Sequence, residues 1–151
     1  MKATTLLKKD HTAVKKLFRA YEKAEKANAN AQKKAIFDEI YMELVAHMKV
    51  EEEIFYPALK AEADKDGTEL VLEGVEEHGV VKTLLAQLSK MKPSDETFDA
   101  KVKVVIENVE HHVEEEEDEM FPDAEKTLGI KKLEELSALI EQRKGVLGAA
   151  R

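Results

Sequence analysis

One unit of this sequence occurs twice, and it constrains the fold more than any other feature. His47-Met48-Lys49-Val50-Glu51-Glu52-Glu53-Ile54-Phe55-Tyr56-Pro57 is matched by His112-Val113-Glu114-Glu115-Glu116-Glu117-Asp118-Glu119-Met120-Phe121-Pro122. Each copy has a histidine, a glutamate four residues later, an acidic run, and a proline ten residues after the histidine. On a helix, residues four apart share a face with Cβ atoms about 6 Å apart, so each unit aims an imidazole and a carboxylate the same way. That is a metal-ligand pair.

The rest of the chain supplies helices to carry and oppose these pairs. Thr4 or Thr5 is expected to cap a first helix with the apolar stripe Leu7, His11, Val14, Phe18, Tyr21, and a turn is expected across Ala27-Asn28-Ala29-Asn30-Ala31. A second helix carries Ile36 or Phe37, Ile40, Leu44, His47, Glu51, Ile54 and Ala58 inward. Gly67 is expected to end it and Thr68 to cap a third helix to about Lys92, with the stripe Val71, Val75, His78, Val81 or Lys82, Leu85, Leu88. Ser94 is expected to cap a fourth helix presenting Phe98, Val102, Val105, Val109, His112, Glu116 and Met120, with Pro122 marking its end or a kink.

His11 and His47 are 36 residues apart, and His78 and His112 are 34 apart, so the chain reads as an internal repeat of a helical hairpin. Short connections make the expected fold all-α: an up-down-up-down four-helix bundle with an additional C-terminal amphipathic helix. The whole chain, 1–151, is expected to form one domain, with the bundle at about 4–122 and the last helix at about 129–147. That helix presents Leu133, Leu136, Ile140 and Leu147, either as a lid on the bundle or as a dimer face.

Composition removes several function classes. The net charge of −8 gives no electrostatic reason to bind nucleic acid or an anionic membrane. The absence of cysteine excludes disulfides, iron–sulfur clusters and thiolate zinc sites, and no apolar run reaches the length of a membrane span. A cytoplasmic protein is expected, either a monomer or a weak homodimer.

Burial then decides what the six polar residues on the apolar stripes are for. A buried carboxylate costs several kcal/mol unless compensated, and two facing each other repel as well, so something positive must sit between Glu51 and Glu116. The imidazoles of His11, His47, His78 and His112 with both glutamates can enclose one ion. If each carboxylate bridges, the same groups give eight donors, roughly four short of what two six-coordinate ions need. Mixed imidazole and carboxylate donors with open positions suit iron or manganese better than a structural zinc site, which is normally closed and four-coordinate.

The order His11, His47-x-x-x-Glu51, His78, His112-x-x-x-Glu116, with Glu-Ile-Phe-Tyr-Pro and Glu-Met-Phe-Pro closing the units, resembles the hemerythrin-like, or HHE cation-binding, domain over residues 5 to 125. The resemblance implies a four-helix bundle around two non-haem iron ions joined by an oxide or hydroxide. Glu51 and Glu116 would bridge them, and His11, His47, His78 and His112 would be terminal ligands. Oxygen-carrying hemerythrins use a fifth histidine one turn after the third-helix ligand; here that position is Lys82, which sets simple oxygen carriage aside. The six-ligand set is more similar to that of the iron–sulfur cluster repair proteins and of HHE domains linked to iron, oxygen or nitric oxide sensing. The repair proteins also carry an amino-terminal cysteine-bearing region that this chain lacks.

Other residues have plainer readings. His111 points about 100° from His112 and is expected on the surface. Glu52, Glu53, Glu114, Glu115, Glu117 and Glu119 read as solvated faces, with one of them or Glu43 as a candidate extra ligand, and Tyr21 and Tyr41 read as core or rim aromatics. Lys82 is expected to snorkel or to pair with an acid.

The leading function is a small di-iron protein that binds or reacts with oxygen, peroxide or nitric oxide. The alternatives are an enzyme that decomposes peroxide and an iron buffer or donor without turnover.

Overall fold

The computed structural model describes residues 1–148; residues 149–151 of the expected domain lie outside the described residues. The order is α1 (Ala3–Lys26), α2 (Asn30–Val50), a π-helical turn (Glu51–Phe55), α3 (Tyr56–Glu62), α4 (Lys65–Leu88), α5 (Phe98–Glu115), a second π-helical turn (Glu116–Met120) and α6 (Phe121–Leu147). The chain is helical with no strand among the described residues, and α1 packs on α2 as α4 packs on α5, giving the expected bundle of two hairpins.

The apolar stripes account for most of the packing. Leu7, Val14, Phe18 and Tyr21 of α1 are buried, as are Phe37, Ile40 and Leu44 of α2. They divide between two apolar clusters that sandwich the polar site. One contains Phe18, Phe37, Leu44, Leu85, Phe98 and Val109. The other contains Leu7, Phe55, Leu59, Phe121, Leu133 and Ile140. The last two-thirds of α6 covers this second cluster. It is set off from the first part at Gly129, whose φ of 79° and ψ of 166° are open to glycine and strained for other residues. At the far end of the first cluster, buried Lys33 meets Asp99 at 3.0 Å, and Tyr21 donates a 2.6 Å hydrogen bond to the same carboxylate.

The two π-turns are where the structure departs from simple periodicity. The backbone N–H of Tyr56 bonds to the Glu51 carbonyl, and that of Phe121 to the Glu116 carbonyl, five residues back instead of four. In an α-helix, at 100° per residue, the residue four on lies nearest the same face; one extra residue passes that place to the residue five on. The inward positions after Glu51 are therefore Phe55, Tyr56 and Leu59, not the expected Ile54 and Ala58. The chain does not stop at Pro122 either, because each proline sits in the first turn of the helix after its π-turn, where a missing N–H costs nothing.

Several helix ends also differ from expectation. Neither threonine caps α1: its N-cap is Lys2, and the Thr4 hydroxyl donates to Glu125 instead. Gly67 lies inside α4, whose N-cap is Asp64 accepting from the Gly67 N–H, so the asparate displaces Thr68 from that role. Thr97 stands at the N-cap of α5 where Ser94 was expected. In α4 the inward residue is Gly74, and Val75 is 40% exposed. The expected turn after α1 is present, with Asn28 at φ 52°, a left-handed conformation that asparagine tolerates. No helix among the described residues is long and apolar enough to cross a membrane.

Candidate metal centre

The bundle brings His11 of α1, His47 of α2, His78 of α4 and His112 of α5 together with Glu51 and Glu116, the first residues of the two π-turns, and all six are buried. Their inner atoms form two overlapping groups. In one, His11 Nε2 stands 3.2 Å from His47 Nε2 and 3.1 Å from Glu116 Oε1, and His47 Nε2 is 3.3 Å from Glu51 Oε1. In the other, His78 Nε2 stands 3.2 Å from His112 Nε2 and 3.1 Å from Glu51 Oε1, and His112 Nε2 is 3.3 Å from Glu116 Oε2. Both glutamates belong to both groups. Each histidine pair belongs to one.

Every imidazole is held from behind. Nδ1 of His11 donates to Glu117 at 2.7 Å, that of His47 to Asp10 at 2.9 Å, that of His78 to Glu52 at 2.6 Å and that of His112 to Glu77 at 2.6 Å. A carboxylate on Nδ1 fixes the tautomer and turns the Nε2 lone pair inward, the usual support of a metal-bound imidazole. Glu52 and Glu117, read from sequence as solvated, and Asp10 and Glu77, not singled out at all, are therefore part of the site. A signal was available: each is the chain neighbour of an inner residue, Asp10 and Glu77 preceding a histidine and Glu52 and Glu117 following a glutamate. His111 is exposed and bonds Glu115 at 2.7 Å, and Lys82 pairs with Glu52 at 2.7 Å, both as expected.

The electrostatics are those of a pocket built for positive charge. Burial would lower the His47 pKa, but Glu51 and Asp10 outweigh it and raise the group to about 10. His112 is likewise desolvated, yet Glu116, Glu51 and Glu77 raise it to about 12. Burial pushes Glu51 upward, but His47, His112 and His78 hold it well below the ordinary carboxylate range. Protons on imidazole thus supply the cation that the two carboxylates require. They do not satisfy them: Glu51 Oε2 and Glu116 Oε1 are buried without a hydrogen-bond partner, the 3.1 Å contact of the latter with His11 lacking hydrogen-bond alignment. Buried carboxylate oxygens left open beside inward-facing imidazole nitrogens fit divalent cations, which need no donor hydrogen.

Two aromatic rings close the site on the side of the second cluster. Tyr56 stacks on His78, with centroids 5.4 Å apart, and Phe121 stacks on His11 at 5.7 Å. The π-turns put both rings there. On the opposite side, Val14, Leu44, Val81 and Val109 join the four histidines around a cavity of about 20 Å³. That is room for one water-sized molecule.

Comparison with known proteins agrees with this geometry. The family model for the hemerythrin HHE cation binding domain matches residues 2–124. The uncharacterized protein Rv2633c of Mycobacterium tuberculosis is 32% identical, over 96% of this chain and 89% of its own. A crystal structure of a hemerythrin HHE cation binding domain-containing protein from Mycobacterium kansasii, described as an Rv2633c homolog, superposes with a TM-score of 0.78 at 27% identity, covering 97% of this chain and 89% of that one. A DNA nickase of Nostoc sp. is 29% identical over 80% of this chain, which spans only 33% of that protein's length.

Proposed function

The chain belongs to the hemerythrin HHE cation-binding family, and on that premise we propose that it is a non-haem di-iron protein whose carboxylate-bridged centre binds or reacts with oxygen, peroxide or nitric oxide. The observation that carries the reading is the sharing of both glutamates between two otherwise separate histidine pairs. One ion could use one group. Two ions need the carboxylates in common, and the unpartnered Glu51 Oε2 and Glu116 Oε1 are what a second use of each would occupy.

The donor set favours iron, since it offers nitrogen and oxygen without thiolate and leaves positions open, unlike closed structural zinc sites. When bound, iron supplies redox chemistry and open positions for a small ligand. The protein's part is to hold and to exclude. His11, His47, His78 and His112 would each bind through Nε2, aimed by Glu117, Asp10, Glu52 and Glu77. Glu51 and Glu116 would span the pair. Val14, Leu44, Val81 and Val109 keep bulk water from the inner nitrogens, and a cavity of about 20 Å³, room for one water-sized molecule, is too small for an organic substrate. The net charge of −8 argues against carrying DNA chemistry over from the longer nickase.

The test is to load the protein with ferrous iron under argon and to add oxygen, hydrogen peroxide and nitric oxide separately. A fast change in the visible spectrum with at least one of them, lost in Glu51→Ala and Glu116→Ala, is expected. Loaded protein inert to all three would contradict the reading. Sustained peroxide loss with the iron retained would make the protein an enzyme.

A further inference from the structure

The two hairpins match around their outer carboxylates and differ in what faces those carboxylates from outside. Asp10 precedes His11 and Glu77 precedes His78, and each accepts from Nδ1 of the histidine on the neighbouring helix, His47 or His112. The other oxygen of Asp10 meets the ammonium of Lys144. Among the described residues no lysine or arginine pairs with Glu77, whose ion-pair partner is His112. Beside it stand His111 and Glu115 instead, and the three residues offer donor atoms within 4.8 Å of one another. We propose that Glu77, His111 and Glu115 form an outer binding site for a divalent first-row cation such as zinc, whose ion takes the place that Lys144 has in the first hairpin. The site does not depend on which ions the inner residues hold.

The register of α5 builds this site. His111 and Glu115 repeat the His-x-x-x-Glu spacing one residue ahead of His112 and Glu116, so the same helix aims a second imidazole and carboxylate about 100° away, toward the surface. His111 Nε2 stands 2.7 Å from Glu115 Oε1, and Glu77 adds a carboxylate from α4. The matching positions of the first hairpin are Ala46 and Val50, both buried and without a donor. The hairpin whose carboxylate has a lysine thus lacks the extra donors, and the hairpin with the donors lacks the lysine.

The donor chemistry fits the cation. The Glu77 and Glu115 carboxylates repel each other, and a cation between them removes that cost. One imidazole and two carboxylates leave a position for water on a four-coordinate zinc. Glu77 would serve both sites, Oε1 keeping the Nδ1 proton of His112 and Oε2 turning to the outer ion. The His111 side chain is 67% exposed and those of Glu77 and Glu115 are 30% exposed, whereas the inner residues are buried. The outer ion therefore exchanges with the buffer, and metal retained after dialysis counts the inner ions.

The experiment is to dialyse the metal-loaded wild type, His111→Ala and Glu115→Gln, titrate each with zinc by calorimetry, and follow the retained inner metal by elemental analysis. Wild type should bind one further zinc per chain. Both variants should lose that binding while retaining as much inner metal as wild type. No further zinc in wild type, or undiminished uptake in either variant, would overturn the outer site and leave the inner centre untouched. Loss of inner metal from either variant would place its residue with the inner centre and would also overturn the proposal.

Discussion

The two hairpins build the same inner geometry and surround it differently. His11 with His47 and His78 with His112 each place Nε2 atoms 3.2 Å apart, and each imidazole leans on one carboxylate. Behind the first pair, Asp10 is held by Lys144, which reaches in from the end of α6 and is itself buried. Behind the second pair, Glu52 is held by Lys82, half exposed on α4, and Glu77 borders the surface pair of His111 and Glu115. The helix periodicity that generates a repeat fixes only the inward residues. What stands behind them depends on which later element packs there, and only the first hairpin receives the C-terminal helix.

The largest effect should come from removing what the halves share. Glu51→Ala or Glu116→Ala takes a bridge from both positions, so loss of at least one ion and a lower melting temperature in the loaded protein are expected. Breaking a buried charge pair on one side costs about 3–5 kcal/mol. Unchanged metal content in both variants would defeat the bridging assignment.

The outer carboxylates come next. Asp10→Asn and Glu77→Gln occupy matching places, and each should weaken metal binding by about 10–100-fold, as for other outer-shell partners of metal-bound histidine. Competition against a chelator measures this. Wild-type affinity in either variant would mean that its imidazole needs no such support.

Acidity provides a third probe. His47 and His112 are raised to about 10 and about 12 in the ion-free protein, so their contribution to its stability is complete below the ordinary value of 6.5 and is lost as pH rises through the folded values. Glu51 is lowered, so its contribution is present above 4.5 and is lost as pH falls through its folded value. Metal must displace the imidazole protons. Uptake should therefore release protons and tighten as pH rises across the neutral range, which calorimetry in buffers of different ionisation heat reads directly. Uptake with no proton release would contradict the protonated state.

The two lysines separate the halves most cleanly. Lys144→Met leaves one carboxylate oxygen of Asp10, 11% exposed, without its lysine partner and should cost about 1–3 kcal/mol. Lys82→Met removes a pair that is half exposed and should cost about 0.5 kcal/mol or less. At about 2–4 °C of melting temperature per kcal/mol for a domain of this size, thermal unfolding distinguishes them, and equal shifts would refute the difference between the halves. Smallest of all, His111→Ala should leave the metal content unchanged.

The inner site was legible in the sequence because a histidine on an apolar stripe violates the pattern, and four such violations in register cannot be read as surface. The bundle followed from the same stripes. Tyr56 and Phe121 were not legible as site residues, since a periodicity of 3.6 turns them away from Glu51 and Glu116; only the extra residue of each π-turn brings them back. Gly74 was passed over for Val75 because a glycine carries no hydropathy signal, and its use appears only once the Tyr56 ring lies against it. The outer carboxylates were hidden in an acidic background of 32 Asp and Glu residues. Lys144 lay beyond the repeat, where nothing in the pattern relates α6 to Asp10.

Elemental analysis of untagged protein expressed in iron-replete medium tests the bridged centre most directly. About two irons per chain is the expected result. About one metal ion per chain, or a content dominated by zinc or manganese, would mean that the six residues enclose a single or different ion and would contradict the carboxylate-bridged di-iron centre.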